Sequence, residues 1–260
     1  MDIKYKSKLL SAFVDSIQKI NRNPQKDDAR VIQIIDDIST NPERQILKGT
    51  KLFRCRIIHS GSTLCGKSPF YGFGADDSLA PPWKRATDMR ASYRYIPYLY
   101  CANHPYLSLV EVRPRIGAKV SVAEINVKKD ITLLDFTAKK KPKGMDITKQ
   151  NLFHDLSLLY SKPVTEDDEV IDYIPTQYIA EYAKRLGYDG ITYMSSLTPE
   201  INESGLDRFN VVIFDYKTVC DVVRTNVVEV QENNVECENV DGDSDPIKVE
   251  SYLSELIGTL

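Results

Sequence analysis

The chain has 260 residues, 42% of them hydrophobic and 27% charged, and a formal net charge of −3. Those are globular proportions that exclude wholesale disorder, and the small negative charge excludes a protein that coats nucleic acid through a general basic surface. No run of eighteen apolar residues occurs, the opening Met1-Asp2-Ile3-Lys4-Tyr5-Lys6 lacks the apolar core of a signal peptide, and five cysteines with three scattered histidines give neither a disulfide framework nor zinc spacing. The expectation is a reduced, cytoplasmic protein with no membrane association and no metal.

From about Lys6 to Asp37, Leu9, Leu10, Phe13, Val14 and Ile17, then Val31, Ile32, Ile34 and Ile35, recur at helical spacing, interrupted at Asn23-Pro24. Two helices are expected as an N-terminal helical extension over residues 1–45, serving core packing, oligomerisation or partner contact. Lys51 to Ile58 alternates as a strand does, placing Phe53, Cys55 and Ile57 on one face and Arg54 and Arg56 on the other. Lys119 to Val127 and Ile131 to Phe136 read as the two arms of a β-hairpin across Lys128-Lys129-Asp130. The basic run Lys139-Lys140-Lys141-Pro142-Lys143 reads as a solvated loop.

Pro175 in a first turn, the spacing of Ile179, Ala183 and Leu186, and Gly187 after the last turn predict a helix. Gly190 to Met194 and Asn210 to Tyr216 read as strands around a polar loop with Pro199, Asn202 and Gly205. Strands and helices mix without a regular βαβ repeat, which predicts an α+β main domain over residues 46–228. Residues 229–260 read as an acidic linker, through Glu232, Glu236, Glu238, Asp241, Asp243 and Asp245, followed by a short C-terminal helix carrying Val249, Tyr252, Leu253, Leu256 and Ile257.

The common glycine-rich nucleotide loops and the Gly-x-Ser-x-Gly elbow are absent. The informative segments are longer: Leu52-Phe53-Arg54-Cys55-Arg56, Met89-Arg90-Ala91-Ser92, Leu99-Tyr100-Cys101-Ala102, Val110-Glu111-Val112-Arg113-Pro114 and Gly190-Ile191-Thr192-Tyr193-Met194-Ser195-Ser196. In the same order lie Leu133-Leu134-Asp135-Phe136, Pro175-Thr176-Gln177-Tyr178 and Asn210-Val211-Val212-Ile213-Phe214.

From about Lys51 to Val223 this ordered set resembles the RES domain, a bacterial family named for an arginine, a glutamate and a serine and known as NAD-degrading toxins of toxin–antitoxin modules. By that resemblance the family arginine falls on Arg54, its second arginine on Arg90 with Arg94 as rival, its tyrosine on Tyr100, its glutamate on Glu111, and its serine on Ser195 with Ser196 beside it. Two positions depart from the family pattern: Met89 stands where a glycine usually precedes the second arginine, and Ser92 stands where an asparagine usually follows it.

The resemblance implies an ADP-ribosyltransferase-like fold of mixed sheets with flanking helices and a cleft for NAD as substrate. Arg54, Glu111 and Ser195 are then the catalytic candidates, and Arg54, Arg90, Tyr100 and Ser195 the NAD-binding ones. The residue types suit that chemistry. Breaking the nicotinamide–ribose bond develops positive charge on the ribose, which a carboxylate such as Glu111 stabilises. A pyrophosphate calls for forked guanidinium donors, a flat nicotinamide for an aromatic face, and its carboxamide or a ribose hydroxyl for a serine. Against these stand plainer roles: Arg54 and Arg56 as an exposed strand face, Glu111 paired with Arg113 or Arg115, Tyr100 in a core, and Ser195 shaping a turn.

The implied activity is NAD phosphorolysis or hydrolysis, with inorganic phosphate or water as acceptor. Two alternatives are transfer of ADP-ribose to a protein or nucleic acid, and a non-catalytic binding module. A cognate antitoxin is the implied partner, and self-association into a homo-oligomer is open.

Overall fold

The computed structural model describes residues 5–22, 31–33, 35, 43–137, 146–162, 169–197 and 208–231. The expected basic loop, the polar loop after Ser196 from residue 198 to 207, and the acidic linker with its terminal helix lie outside the described residues.

Helix α1 (Lys8–Lys19) begins where the Ser7 hydroxyl accepts the Leu10 N–H and the Ser7 N–H donates to the buried Asp155 carboxylate at 2.6 Å. Its apolar stripe of Leu10, Phe13, Val14 and Ile17 is buried. Val31 and Ile35, in helical backbone at 31–33 and 35, are buried in the same cluster.

Among the described residues eight strands follow: β1 (Glu43–Ile46), β2 (Lys51–Ile57), β3 (Leu99–Ala102), β4 (Lys119–Val127), β5 (Ile131–Phe136), β6 (Gly190–Met194), β7 (Phe209–Ile213) and β8 (Cys220–Glu229). Their spatial order is β1-β5-β6-β7-β3-β2-β4-β8. Every pairing is antiparallel except β5 with β6. The expected α+β class is therefore the observed one: a mixed sheet with flanking helices.

A parallel pair needs a long crossover, and here it holds two of the helices. With the short helices α2 (Ala75–Ser78) and α3 (Pro105–Glu111) preceding them, these are α4 (Ile147–Ser161) and α5 (Val170–Arg185); a last short helix, α6 (Tyr216–Val219), sits where a strand was expected to continue through Tyr216. Helices α1, α4 and α5 pack together on Leu134, Phe136, Ile191 and Val212 of the sheet, so the N-terminal helix shares the main core. A second core gathers Leu52, Ile125 and Val127 with Leu99, Leu133, Val211 and Ile213. That cluster also takes in Ile46 of β1 and Cys220 of β8, so apolar side chains from both ends of the strand order meet in it.

Two further local expectations fail. Strands β4 and β5 form no hairpin: β4 pairs with β2 and β8, while β5 pairs with β1 and β6. Lys128-Lys129-Asp130 has no glycine or asparagine for the positive φ that tight hairpin turns demand. Instead the Lys128 N–H donates to Val219 O at 2.8 Å, and the Asp130 carboxylate accepts the Lys48 N–H at 2.7 Å, which directs the chain across the sheet.

The second correction concerns Pro175, which lies inside α5 rather than in its first turn, because the helix starts five residues earlier at Val170. Proline lacks the N–H that would bond the carbonyl four residues back. That carbonyl, Ile171 O, instead accepts Nε2 of Gln18 from α1 at 3.0 Å. A side chain from a distant helix thus makes the proline tolerable.

Candidate active site

Strands β2 and β3 meet at a single register pair, Phe53 with Ala102, whereas β3 pairs β7 over four residues. The sheet parts at this seam, and a cavity of ≈ 540 Å³ opens beside it. That volume is within the usual range for small-molecule sites, roughly 300–1,000 Å³.

Arg54 reaches the cavity from β2. The alternation read from the sequence holds here: Cys55 and Ile57 pack into a small apolar cluster with Val120 and Val230, which leaves Arg54 on the other face. One guanidinium nitrogen donates to Ser78 O at 3.2 Å. Burial and then the neighbouring Arg56 pull its pKa down to about 10. Arg56 is engaged elsewhere, over the Phe73 ring at 4.1 Å and on Asp77 O. An anion beside Arg54 would relieve that penalty.

Glu111 is the last residue of α3, whose first turn is capped by the His104 ring nitrogen accepting the Tyr106 N–H, with Pro105 at the first helical position. Its carboxylate accepts Nδ2 of the buried Asn210 on β7 at 2.7 Å. The plainer pairing with Arg113 or Arg115 is not among the ion pairs of the described residues. The chain leaves α3 through Arg113, whose φ of +46° places it in the left-handed region, and Arg113 also lines the cavity.

Arg90 sits in a tight turn closed by reciprocal backbone bonds between Met89 and Ser92, at 2.9 and 3.2 Å. Its guanidinium donates to Leu159 O at 3.0 Å and to Lys162 O, two carbonyls at the end of α4. Met89 is not among the residues with positive φ, so the turn needs no glycine there. Ser92 has its own task, its hydroxyl sharing a 3.0 Å bond with the Tyr100 hydroxyl, which also accepts the Ala91 N–H at 3.0 Å. Burial pushes the Tyr100 hydroxyl up to about 12, so it stays protonated at neutral pH. Arg94 does not line the cavity and pairs with Asp88 at 3.4 Å.

Ser195 directly follows β6, is buried, and accepts the Leu197 N–H at 3.0 Å, so it does shape a turn. Both Ser195 and the exposed Ser196 line the cavity. Arg54, Arg90, Tyr100, Glu111 and Ser195 thus share one hollow, although 141 positions separate the first from the last.

Three other lining residues have no binding or catalytic role in the resemblance: Asn210, which donates to the carboxylate, and the cations Arg113 and Lys162. For Asn210 a signal exists, a lone amide in the otherwise apolar strand Phe209–Ile213. Arg113 and Lys162 carry none, since a surface cation is the commonest use of either residue. Among the described residues no group of three or more His, Cys, Asp or Glu could hold a metal ion, and no helix is long and apolar enough to cross a membrane.

A family profile described as RES domain matches residues 55–231. No curated protein matches the chain. Among solved structures, a chain in the crystal structure of the M. tuberculosis MbcT-MbcA toxin-antitoxin complex is similar at 14% identity and a TM-score of 0.42, over 77% of this chain and 92% of that one.

Proposed function

The chain belongs to the RES domain family, and from that premise we propose that it consumes NAD by breaking the nicotinamide–ribose bond, as the toxin of a toxin–antitoxin pair. The observation that carries this reading is the meeting of one held carboxylate, Glu111, with Arg54 and Arg90 in a single cavity.

The guanidinium groups of Arg54 and Arg90 bind the pyrophosphate, and the Tyr100 ring and Ser195 receive the nicotinamide end. As the bond from ribose C1″ to nicotinamide breaks, its electron pair leaves with the neutral pyridine, and the ribose takes on oxocarbenium character. The Glu111 carboxylate, kept in place by Asn210, stabilises that charge. An oxygen of phosphate or water then bonds to C1″ and releases its proton to solvent. Phosphate gives an ADP-ribose phosphate ester, and water gives ADP-ribose. Neither route requires a strong acid, because the leaving group departs uncharged. A cognate antitoxin would be needed to silence such an activity in its own cell.

Phosphorus NMR of the purified chain with NAD, with and without inorganic phosphate, tests the reading and identifies the acceptor. Glu111→Gln is expected to slow NAD loss at least ~10²-fold. Intact NAD under both conditions would refute the proposal, and a label from NAD found on a protein or nucleic acid would redirect it to transferase chemistry.

A further inference from the structure

The wall of the cavity that carries Arg90 is held from behind by a residue that does not line it. Gln177 lies inside α5, fully buried, among Ile174, Ile179, Ala180 and Ala183 of the same helix, all of them buried. Its Nε2 donates to Met89 O and to Ser92 O, both at 3.0 Å. Those two carbonyls bracket the Arg90-Ala91 turn. Both donors of the amide are spent on this one loop, and among the described residues the amide oxygen has no hydrogen-bond partner.

An amide with an unsatisfied oxygen is a poor choice for packing a helix into an apolar core, where methionine or leucine would fill the space without a stranded acceptor. Its two donated bonds are therefore what the position gains. On the other side of the turn the Tyr100 hydroxyl takes the Ala91 N–H and bonds the Ser92 hydroxyl. The loop is thus gripped between α5 and β3, and Arg90 is the one side chain projected from it that joins the end of α4 to the cavity.

We propose that Gln177 is a positioning residue that sets the Arg90 guanidinium for the pyrophosphate of the substrate. The inference rests on the reading of the cavity as an NAD site, and it assigns the anion-binding geometry of that site to a side chain outside it. Gln177→Met keeps the volume and removes both donors. It is expected to raise KM for NAD about tenfold with kcat within about threefold, because the loss concerns placement of a binding group and not the reacting carbon. In an Arg90→Ala background the same change should cost nothing further, since the two residues act through one another.

Binding of inorganic pyrophosphate by calorimetry gives a readout independent of catalysis, with thermal melts confirming that each variant is folded. Weaker pyrophosphate binding in Gln177→Met, absent in the Arg90→Ala background, supports the proposal. A wild-type chain that binds pyrophosphate in this Gln177-dependent way yet leaves NAD intact would end the NAD reading and retain the positioning role. Equal affinity in wild type and Gln177→Met, an additive penalty without Arg90, or a wild-type chain that binds no pyrophosphate would each overturn it.

Discussion

The two parts of the sheet that meet at the seam are built to different standards of burial. In the central part, β5, β6 and β7 are buried along nearly their whole length, covered by α1, α4 and α5 on one face and by the inner core on the other. In the outer part, β8 exposes most of its residues and β2 buries only two of seven. The cavity draws on both: Tyr100 and Asn210, with Ser195 just past β6, come from the well-buried part, and Arg54 comes from the outer one. The contrast teaches where such a cavity can form. A rigid, doubly covered sheet fixes the neutral side chains, and the single-pair contact between β3 and β2 leaves room for a ligand without breaking either hydrogen-bonded ladder.

If stability resides in the central part, the most damaging change should remove a side chain from the core under it, even where that side chain also borders the cavity, as Tyr160 does. Tyr160 of α4 is fully buried, stacks on Phe136 with ring centroids 4.7 Å apart, and donates its hydroxyl to Thr176 O at 2.7 Å. Tyr160→Ala should cost about 3–5 kcal/mol in denaturant unfolding, from the cavity left behind and the abandoned carbonyl. A cost below about 1 kcal/mol would mean that the two parts are not distinguished in this way.

The same contrast explains what could be read in advance. The strand around Arg54 and the stripe of α1 are local patterns, and a period of two or of 3.6 survives whatever the strand or helix packs against. The β4–β5 hairpin was misread because pairing is not local: Lys128-Lys129-Asp130 is as short as a hairpin loop, and only the bonds to Val219 and Lys48 show that it is a crossing. Pro175 misled for a similar reason, as its remedy, Gln18, lies in another helix. The five candidate residues were named through an ordered resemblance and not through periodicity, and what the fold adds is that they line one cavity. Asn210 and Gln177 act by a single amide each, and nothing in a lone amide announces which backbone or carboxylate it will meet.

At the seam itself the expected effect is smaller and of opposite sign. Arg113, two residues past the end of α3, takes the left-handed conformation, with its N–H on Val110 O at 3.0 Å, at a position where glycine is the usual occupant. Arg113→Gly should relieve that strain and raise stability by about 0.5–1 kcal/mol, while removing a cation from the cavity wall. Differential scanning calorimetry beside a KM measurement would show a higher Tm together with weaker NAD use. A lower Tm would show that the arginine side chain contributes more by its contacts than its backbone costs.

The smallest effect is expected in the outer part, where ion pairs stand in for burial. Glu124 of β4 meets Lys51 at 2.8 Å and Arg224 at 2.7 Å, and both cations are largely exposed. Its bond to Lys51, aided by Arg224, holds the Glu124 carboxyl below its ordinary value. A carboxylate with a lowered folded pKa contributes stability that is present above the unfolded value, near 4.5, and lost as pH falls through the folded one. Exposure and salt screening limit the contribution to about 0.2–1 kcal/mol. Glu124→Gln should therefore reduce stability by that amount at pH 7 in low salt, and by progressively less in high salt or as the pH falls below the unfolded value near 4.5 and through the lower folded one. A loss that persisted unchanged at low pH would trace to packing of the side chain against β8, making the outer part more like the central one than its exposure suggests.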